Sequence, residues 1–372
     1  MNKPAKLCIS LYIFFLSGCW DQNLLRTARL AYSVGYDLDK EDNLIQTVEL
    51  VSSVSTETSA FKNEIHSAPG HTAEDATDQL KKTVSGDLRY FKYGVHLLGK
   101  AIEKKGIYPY LDTSFRNPEH PTSLVKLISV DGISSKVLEK KKIGNILIGE
   151  YLKRKVISLE KMSVFPQESI ETVFRTMLDP GKDFALPSFK VKGEEIITNG
   201  LALFHNDRIT GRLPLEQSVL FVLLSNNTGE SAHITQKLSN KEASKTIDYV
   251  TIDVDTRKIK RKLKITIDKS GKVVVSLKLK LRVNVIEYPK DHLSKMENRE
   301  KLNGELSQEL TKESKKIIAR LQKSHCDAFG IGRYLIAYHP NLWKKKDWEK
   351  DYTKVKFDPK VEVKMMYSGV YH

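Results

Sequence analysis

Within the strand-like stretch 273–286, residues 275 to 285 alternate strictly. Leu277, Leu279, Leu281, Val283 and Val285 are separated by Lys278, Lys280, Arg282 and Asn284. A period of two marks a β-strand with one buried face, and a slip of one residue would carry every leucine into water. The segment therefore demands a sheet with an apolar side and a basic side. Residues 246–254 and 258–267 read as neighbouring strands, and the alternation at Val361, Val363, Met365 and Tyr367 reads as a closing strand. A helix over 294–323 puts Leu302, Leu306, Leu310, Ile317 and Leu321 on one stripe. A second helix, 328–338, ends before Pro340, and a short piece surrounds Trp343 and Trp348. Helices on an antiparallel sheet make residues 244–372 an α+β domain.

The basic side stands out further along its flank. Between Arg257 and Arg282 there are eleven Lys/Arg residues and one acid, Asp268. Two readings are open. Lysines on exposed strands deter edge-to-edge pairing, and a basic face can dock anionic lipid or an acidic partner.

The preceding segments alternate strand and helix. Residues 30–36 and 44–51 form two strands around the acidic turn Asp37–Asn43, which lacks the glycine and distant glutamate of a calcium loop. Residues 52–71 are small and polar and read as a loop. Thr72-Ala73-Glu74-Asp75 starts a helix that runs to about 85. Strands at 93–98 and 124–130 and helices at 107–115, 134–141, 143–153 and 167–178 follow. This texture predicts an N-terminal mixed α/β domain, 19–186. Pro187 suggests a boundary, and a hairpin around His205-Asn206-Asp207-Arg208 plus an apolar helix at 215–224 suggest a small middle domain, 187–243. The expected fold class is thus multi-domain α+β.

Residues 1–18 have a different character. Lys3 and Lys6 precede the apolar run 7–16, which is the outline of a secretory signal and too short for a membrane span of roughly 20 residues. Leu16-Ser17-Gly18-Cys19 resembles the lipobox of bacterial lipoproteins. That resemblance implies cleavage between Gly18 and Cys19. It also implies a diacylglyceryl group on the Cys19 sulfur and an acyl chain, such as palmitate, on its new amino terminus. Two acyl chains hold a protein durably at a bilayer where one does not. With Cys8 lost and Cys19 acylated, Cys326 is left as a lone thiol, so the fold rests on packing. The formal charge of +15 falls by two, to +13, on loss of Lys3 and Lys6. Such a surface attracts anionic lipid or acidic partners. Export to a membrane sets nucleic acid aside.

Motifs of catalysis and cofactor binding are weak. Gly94 to Lys100 has the spacing of a phosphate-binding loop, but Ala101 replaces the magnesium-binding hydroxyl and the intervening residues are strand formers. His66 and His71 lack a third metal ligand. His325, Cys326 and Asp327 are adjacent in sequence and so point apart. No catalytic residue, cofactor or metal is expected, and the chain reads as a non-enzyme.

The lipobox followed at once by Trp20-Asp21 resembles the Ger(x)C family, the C subunits of GerA-type spore germinant receptors. Residues 31–39, Gly70-His71-Thr72, Gly99, 107–112 and Arg116-Asn117-Pro118-Glu119 are similar to its first-half landmarks. Residues 199–204 to Gly211 are similar to the strand opening its second half. Asp327-Ala328-Phe329-Gly330-Ile331-Gly332, then Pro340, Trp343 and Trp348, are similar to its ending. The resemblance implies a non-catalytic lipoprotein on the outer face of the spore inner membrane, anchored in lipid through Cys19. There it would assemble with membrane A and B subunits and respond to nutrients. A solute-binding lipoprotein of an importer is the alternative, and a lipid-anchored hydrolase a more distant one.

Overall fold

In a computed structural model, residues 28–52, 62–90, 93–117, 120, 122–238, 248–290 and 292–367 are described. Gly18 and Cys19 lie outside them. The first half builds strands β1 (Ala28–Leu38), β2 (Leu44–Ser52) and β3 (Lys62–Gly70), then helix α1 (Ala73–Thr83). Strands β4 (Asp87–Arg89) and β5 (Val95–Gly99), helix α2 (Lys100–Lys105), strand β6 (Lys126–Val130) and helix α3 (Ser134–Leu138) follow. A small hairpin, β7 (Lys142–Ile143) and β8 (Ile146–Leu147), leads to helices α4 (Ile148–Lys161) and α5 (Ile170–Leu178). Strands β9 (Ala185–Lys192), β10 (Glu195–His205) and β11 (Arg208–Leu213) then complete the first sheet, in the order β11-β10-β9-β6-β5-β1-β2-β3 with β4 beside β1. Its centre is parallel, from β9 to β1, and both flanks are antiparallel.

Residues 52–71, expected as a loop, contain β3, which pairs with β2 from Leu44↔Gly70 to Ser52↔Lys62. Small polar residues have no strand preference of their own, and ladder pairing along β2 overrides it. Helix α4 begins later than the expected 143, because the β7–β8 hairpin occupies its first turn. Position 187 lies inside β9. There Pro187 lies opposite Leu201, beside a bulge between Thr198 and Leu201. A bulge is where a residue without an amide is tolerated. Gly200 takes φ +77° in that bulge, and a Cβ there would meet the Leu213 carbonyl. The segment 187–243 is consequently shared: β9, β10 and β11 join the first sheet and β12 the second.

The second sheet follows helix α6 (Leu215–Ser225) and comprises β12 (His233–Lys237), β13 (Tyr249–Val254), β14 (Lys260–Ile267), β15 (Val273–Glu287) and, at the end of the chain, β16. Helix α7 (Met296–Lys323), helix α8 (Ile331–Tyr338) and short turns at Pro340–Trp343 and Trp348–Asp351 precede β16 (Lys356–Tyr367). The long strand β15 is central. One edge pairs antiparallel with β14 and then β13; the other pairs with β16 in parallel. The expected closing strand is therefore present, and it makes the sheet mixed.

Both faces of the first sheet are covered. On one side α1 and its neighbours bury Val34, Leu98, Ala202 and Phe204. On the other, one core runs from Val95, Leu97 and Leu203 through Phe221 and Leu224 of α6 to Leu279 and Val361 of the second sheet. Burial on both faces explains why 201–204 is apolar without alternation. The α7 stripe is buried as expected, and Ser314 fills its gap by returning its hydroxyl to the Leu310 carbonyl at 2.7 Å.

Candidate docking face and the clasp between the sheets

The alternation in β15 turns Leu277 to Val285 inward and leaves Lys278, Lys280 and Arg282 exposed. The neighbours repeat the pattern. Lys260, Lys262 and Lys264 of β14 and Lys356, Lys360 and Lys364 of β16 point outward with them, against two acids, Asp358 and Glu362. Register stacks like charges directly opposite each other: Lys262 with Lys278, Lys260 with Lys280, Lys278 with Lys360, and Arg282 with Lys364. Such pairs are unfavourable, on the scale of about 0.2–1 kcal/mol each. Glu362 relieves part of this through Lys280 (2.6 Å) and Lys360 (3.4 Å). Lys262, Lys264, Lys278, Arg282 and Lys364 make no ion pair among the described residues.

Recesses flank the strip at both ends. One, of about 430 Å³, is lined in part by Lys258, Lys260, Lys280, Arg282 and Lys364. The other, of about 560 Å³, gathers Lys272, Lys346, Lys354 and Lys356 around Asp351. Not every basic residue of the 257–282 run belongs to the face. Arg261 points inward, donates to the Leu224 carbonyl that ends α6, and lies 5.9 Å from the Phe329 ring centre.

Edge protection does not account for the cations of β15 and β16. Strand β15 has both edges paired. The free edge of β16 is covered by α7, whose Asn303, Ser307 and Thr311, one turn apart, accept the amides of Met365, Val363 and Val361, each at 2.9 Å. Covering an edge with a helix is a complete solution to its unpaired amides. Pro359 sits at the same alternate position, where its missing amide would face α7 and not the β15 ladder.

The second candidate lies where residues 325–332 meet the first sheet. The buried carboxylate of Asp183 accepts the amides of Asn206 and Asp327, both at 2.8 Å, and meets Nδ1 of His205 at 3.0 Å. That carboxylate holds the His205 imidazole above its ordinary value of 6.5, against the opposing effect of burial. Asp327 accepts the first amides of α8, Ile331 at 2.9 Å and Gly332 at 2.7 Å, and the Trp348 indole at 3.2 Å. Burial pushes Asp327 up to about 7 although these donors favour its charged form. Close approach of two glycines completes the clasp. A Cβ on Gly332 would lie 2.6 Å from Trp348 Nε1 and 2.7 Å from the Gly181 Cα. Arg333 donates its amide to the Gly181 carbonyl at 2.8 Å and pairs with Asp179 at 3.0 Å.

The remaining motif residues are dispersed. Cys326 is buried with its thiol toward the Phe184 carbonyl, and burial pushes its pKa well up. His325 turns to the Glu349 carbonyl, so His325, Cys326 and Asp327 do not converge. Residues 95–99 are a buried strand, and Lys100 pairs with Asp131 at 2.9 Å. His66 meets Glu64 at 3.2 Å. Trp343 and Trp348 are half-buried and 5.7 Å apart, and Trp348 serves Asp327 through its indole.

Comparison with known proteins now adds to this geometry. Residues 21–191 match the family model described as spore germination protein N-terminal domain, and 199–369 match spore germination B3/GerAC like, C-terminal. The chain belongs to the Ger(x)C family. The spore germination protein GerQC of Bacillus cereus is 25% identical over 96% of this chain and 96% of its own length. YfkR of Bacillus subtilis (strain 168) is 21% identical over 95% and 94%. The crystal structure of the GerBC protein shares the fold, with a TM-score of 0.52 over 90% of this chain and 96% of that one at 15% identity.

The Ger(x)C landmarks prove to be packing and capping positions. The Asp37 side chain reaches from β1 to cap α3, accepting the Ser134 amide and hydroxyl (2.8 Å each) and the Ser135 amide (2.9 Å). Gly99 exists for it, since a Cβ there would strike the Asp37 carboxylate. Gly70 gives way to Ala76 of α1, and Gly211 to Ser324 at the end of α7. Ile107 and Leu111 are fully buried; Pro118 and Glu119 lie outside the described residues. Sequence reasoning missed the buried acids. Glu49 accepts from Ser33 (2.7 Å), Asn63 (2.9 Å) and Gly149 (2.9 Å). Glu103, pushed up to about 8 by burial, lies 3.3 Å from Arg212. An acid inside an apolar strand, as at Glu49, was the available signal.

Proposed function

We propose that this chain is the lipoprotein subunit of a spore nutrient germinant receptor, anchored through Cys19 on the outer face of the spore inner membrane. It works there without catalysis, assembling with the membrane A and B subunits and carrying the response to a germinant. The observation that carries this reading is the family match across both halves of the chain, joined by the lipobox-like Leu16-Ser17-Gly18-Cys19. The buried carboxylates support a scaffold role. Asp37, Asp183 and Asp327 spend their oxygens on backbone amides that tie separate elements together.

The test is deletion of the gene in a strain without redundant receptors, followed by nutrient-triggered germination. Loss of response to at least one nutrient, restored by the intact gene, is expected. Normal germination with every nutrient would overturn the reading.

A further inference from the structure

We propose that the outer face of β14, β15 and β16 is a docking surface for an anionic bilayer, a membrane contact separate from Cys19. The inference rests on the membrane location proposed above only for its biological setting. Its evidence is the face itself.

Nine cations and two acids share a strip about 27 Å long on β15 and two strand spacings, about 10 Å, wide. Like charges are held opposite one another in the native register, and the α7 cover on β16 removes edge protection as their reason for two of the three strands. An opposing anionic surface turns that repulsion into attraction. The residue types select the partner. Eight of the nine cations are lysines, and protein interfaces are depleted in lysine and enriched in aromatic residues and arginine. Lysine is a point charge on a flexible stem, which suits lipid phosphates in no fixed arrangement; a carboxylate partner is better held by the arginine fork. The strip also has no aromatic platform for stacked bases. Beyond the nine, the recesses add Lys258 at one end and Lys272, Lys346 and Lys354, beside Asp351, at the other. At the far end of the same face, Ile286 is 57% exposed and Met366 40% exposed, apolar side chains placed to enter the acyl boundary.

The experiment uses the mature chain, residues 19–372 carrying Cys19→Ala, so that neither acylation nor the apolar leader plays a part, and co-sedimentation with vesicles of phosphatidylcholine alone or with 30% phosphatidylglycerol. Binding to the anionic vesicles at low salt, with little to neutral ones, is expected. Each basic residue at such a surface contributes about fivefold, so Lys262→Gln/Lys278→Gln/Lys360→Gln should weaken binding at least tenfold. Lys82→Gln/Lys104→Gln/Lys136→Gln, with the same charge loss elsewhere, should stay within about threefold. Circular dichroism checks that each variant is folded; if the triple glutamine variant is not, Lys278→Gln alone is read for its expected fivefold loss. Equal losses in the two triples would overturn the proposal, since net charge would suffice. So would absence of anionic-vesicle binding by the parent, including the case where the face variant still impairs germination, which would point to an acidic protein. Failure of the Cys19 anchor itself shows separately, as absence of labelled lipid on the wild-type chain.

Discussion

The hydroxyl of Thr311 accepts the amide of Val361 at 2.9 Å. With Ser307 to Val363 and Asn303 to Met365, it forms a ladder in which one helix face satisfies every second amide of an edge strand. The helical rise over four residues is about 6 Å and the strand rise over two is about 6.6 Å. The near match lets three successive bonds form without distortion.

Ser307→Ala with Thr311→Ala should remove two of these acceptors while raising helix preference slightly. A net loss of about 1–3 kcal/mol is expected from the stranded amides, read as a lower urea midpoint with unchanged slope. Concentration-dependent self-association through the opened β16 edge should accompany it in size-exclusion chromatography. An unaltered midpoint would remove the ladder from the account of stability.

The clasp predicts a pH dependence. Asp327 keeps its proton in the folded chain up to about 7, whereas an unfolded aspartate releases it near 3.9. Between these values the folded state binds more protons, so stability falls as pH rises from about 4 to about 7. His205 acts the same way at the upper end. Its raised folded pKa makes its contribution complete below about 6.5 and loses it as pH climbs through the folded value. Asp327→Asn should flatten the difference between pH 5 and pH 8 relative to the parent. Other buried acids, Glu103 among them, slope alike in both proteins and cancel in the comparison. Parallel stability curves for parent and variant would refute the assignment.

Glycines separate the clasp from ordinary helix. Gly332→Ala forces a methyl against Trp348 and Gly181 and should cost about 1–3 kcal/mol. Gly304, inside α7, has open space at its Cβ position, and Gly304→Ala should stabilise by about 0.8–1 kcal/mol. Thermal unfolding should therefore move in opposite directions for two chemically identical substitutions. A shift of the same sign in both would contradict the close approach.

Much of the fold was legible because periodicity is local. The β15 alternation, the α7 stripe and the capping start at Thr72 each announce themselves within a few residues, and each is present. What stayed hidden depends on partners distant in sequence. Strand β3 has no pattern of its own and exists because β2 offers an edge. Pro187 looks like a boundary until the bulge opposite it is known. Asp37, beside an acidic turn, gives no sign that Ser134, 97 residues away, is what it caps. The basic face is visible as composition, but the cover on the β16 edge is not, because the α7 ladder pairs residues 50 to 62 apart.

The proposed anchor makes location depend on Cys19. Cys19→Ala removes the sulfur that would carry the diacylglyceryl group and, with it, the processing that follows acylation. The expected outcome is loss of incorporated labelled palmitate, retention of the 18-residue leader and, once that leader is removed, release from the membrane fraction at high salt, where the basic face is screened. At low salt part of the variant should stay bound through that face, so the salt dependence of release distinguishes one contact from two. Palmitate label persisting on the Cys19→Ala chain would show that the anchor lies elsewhere.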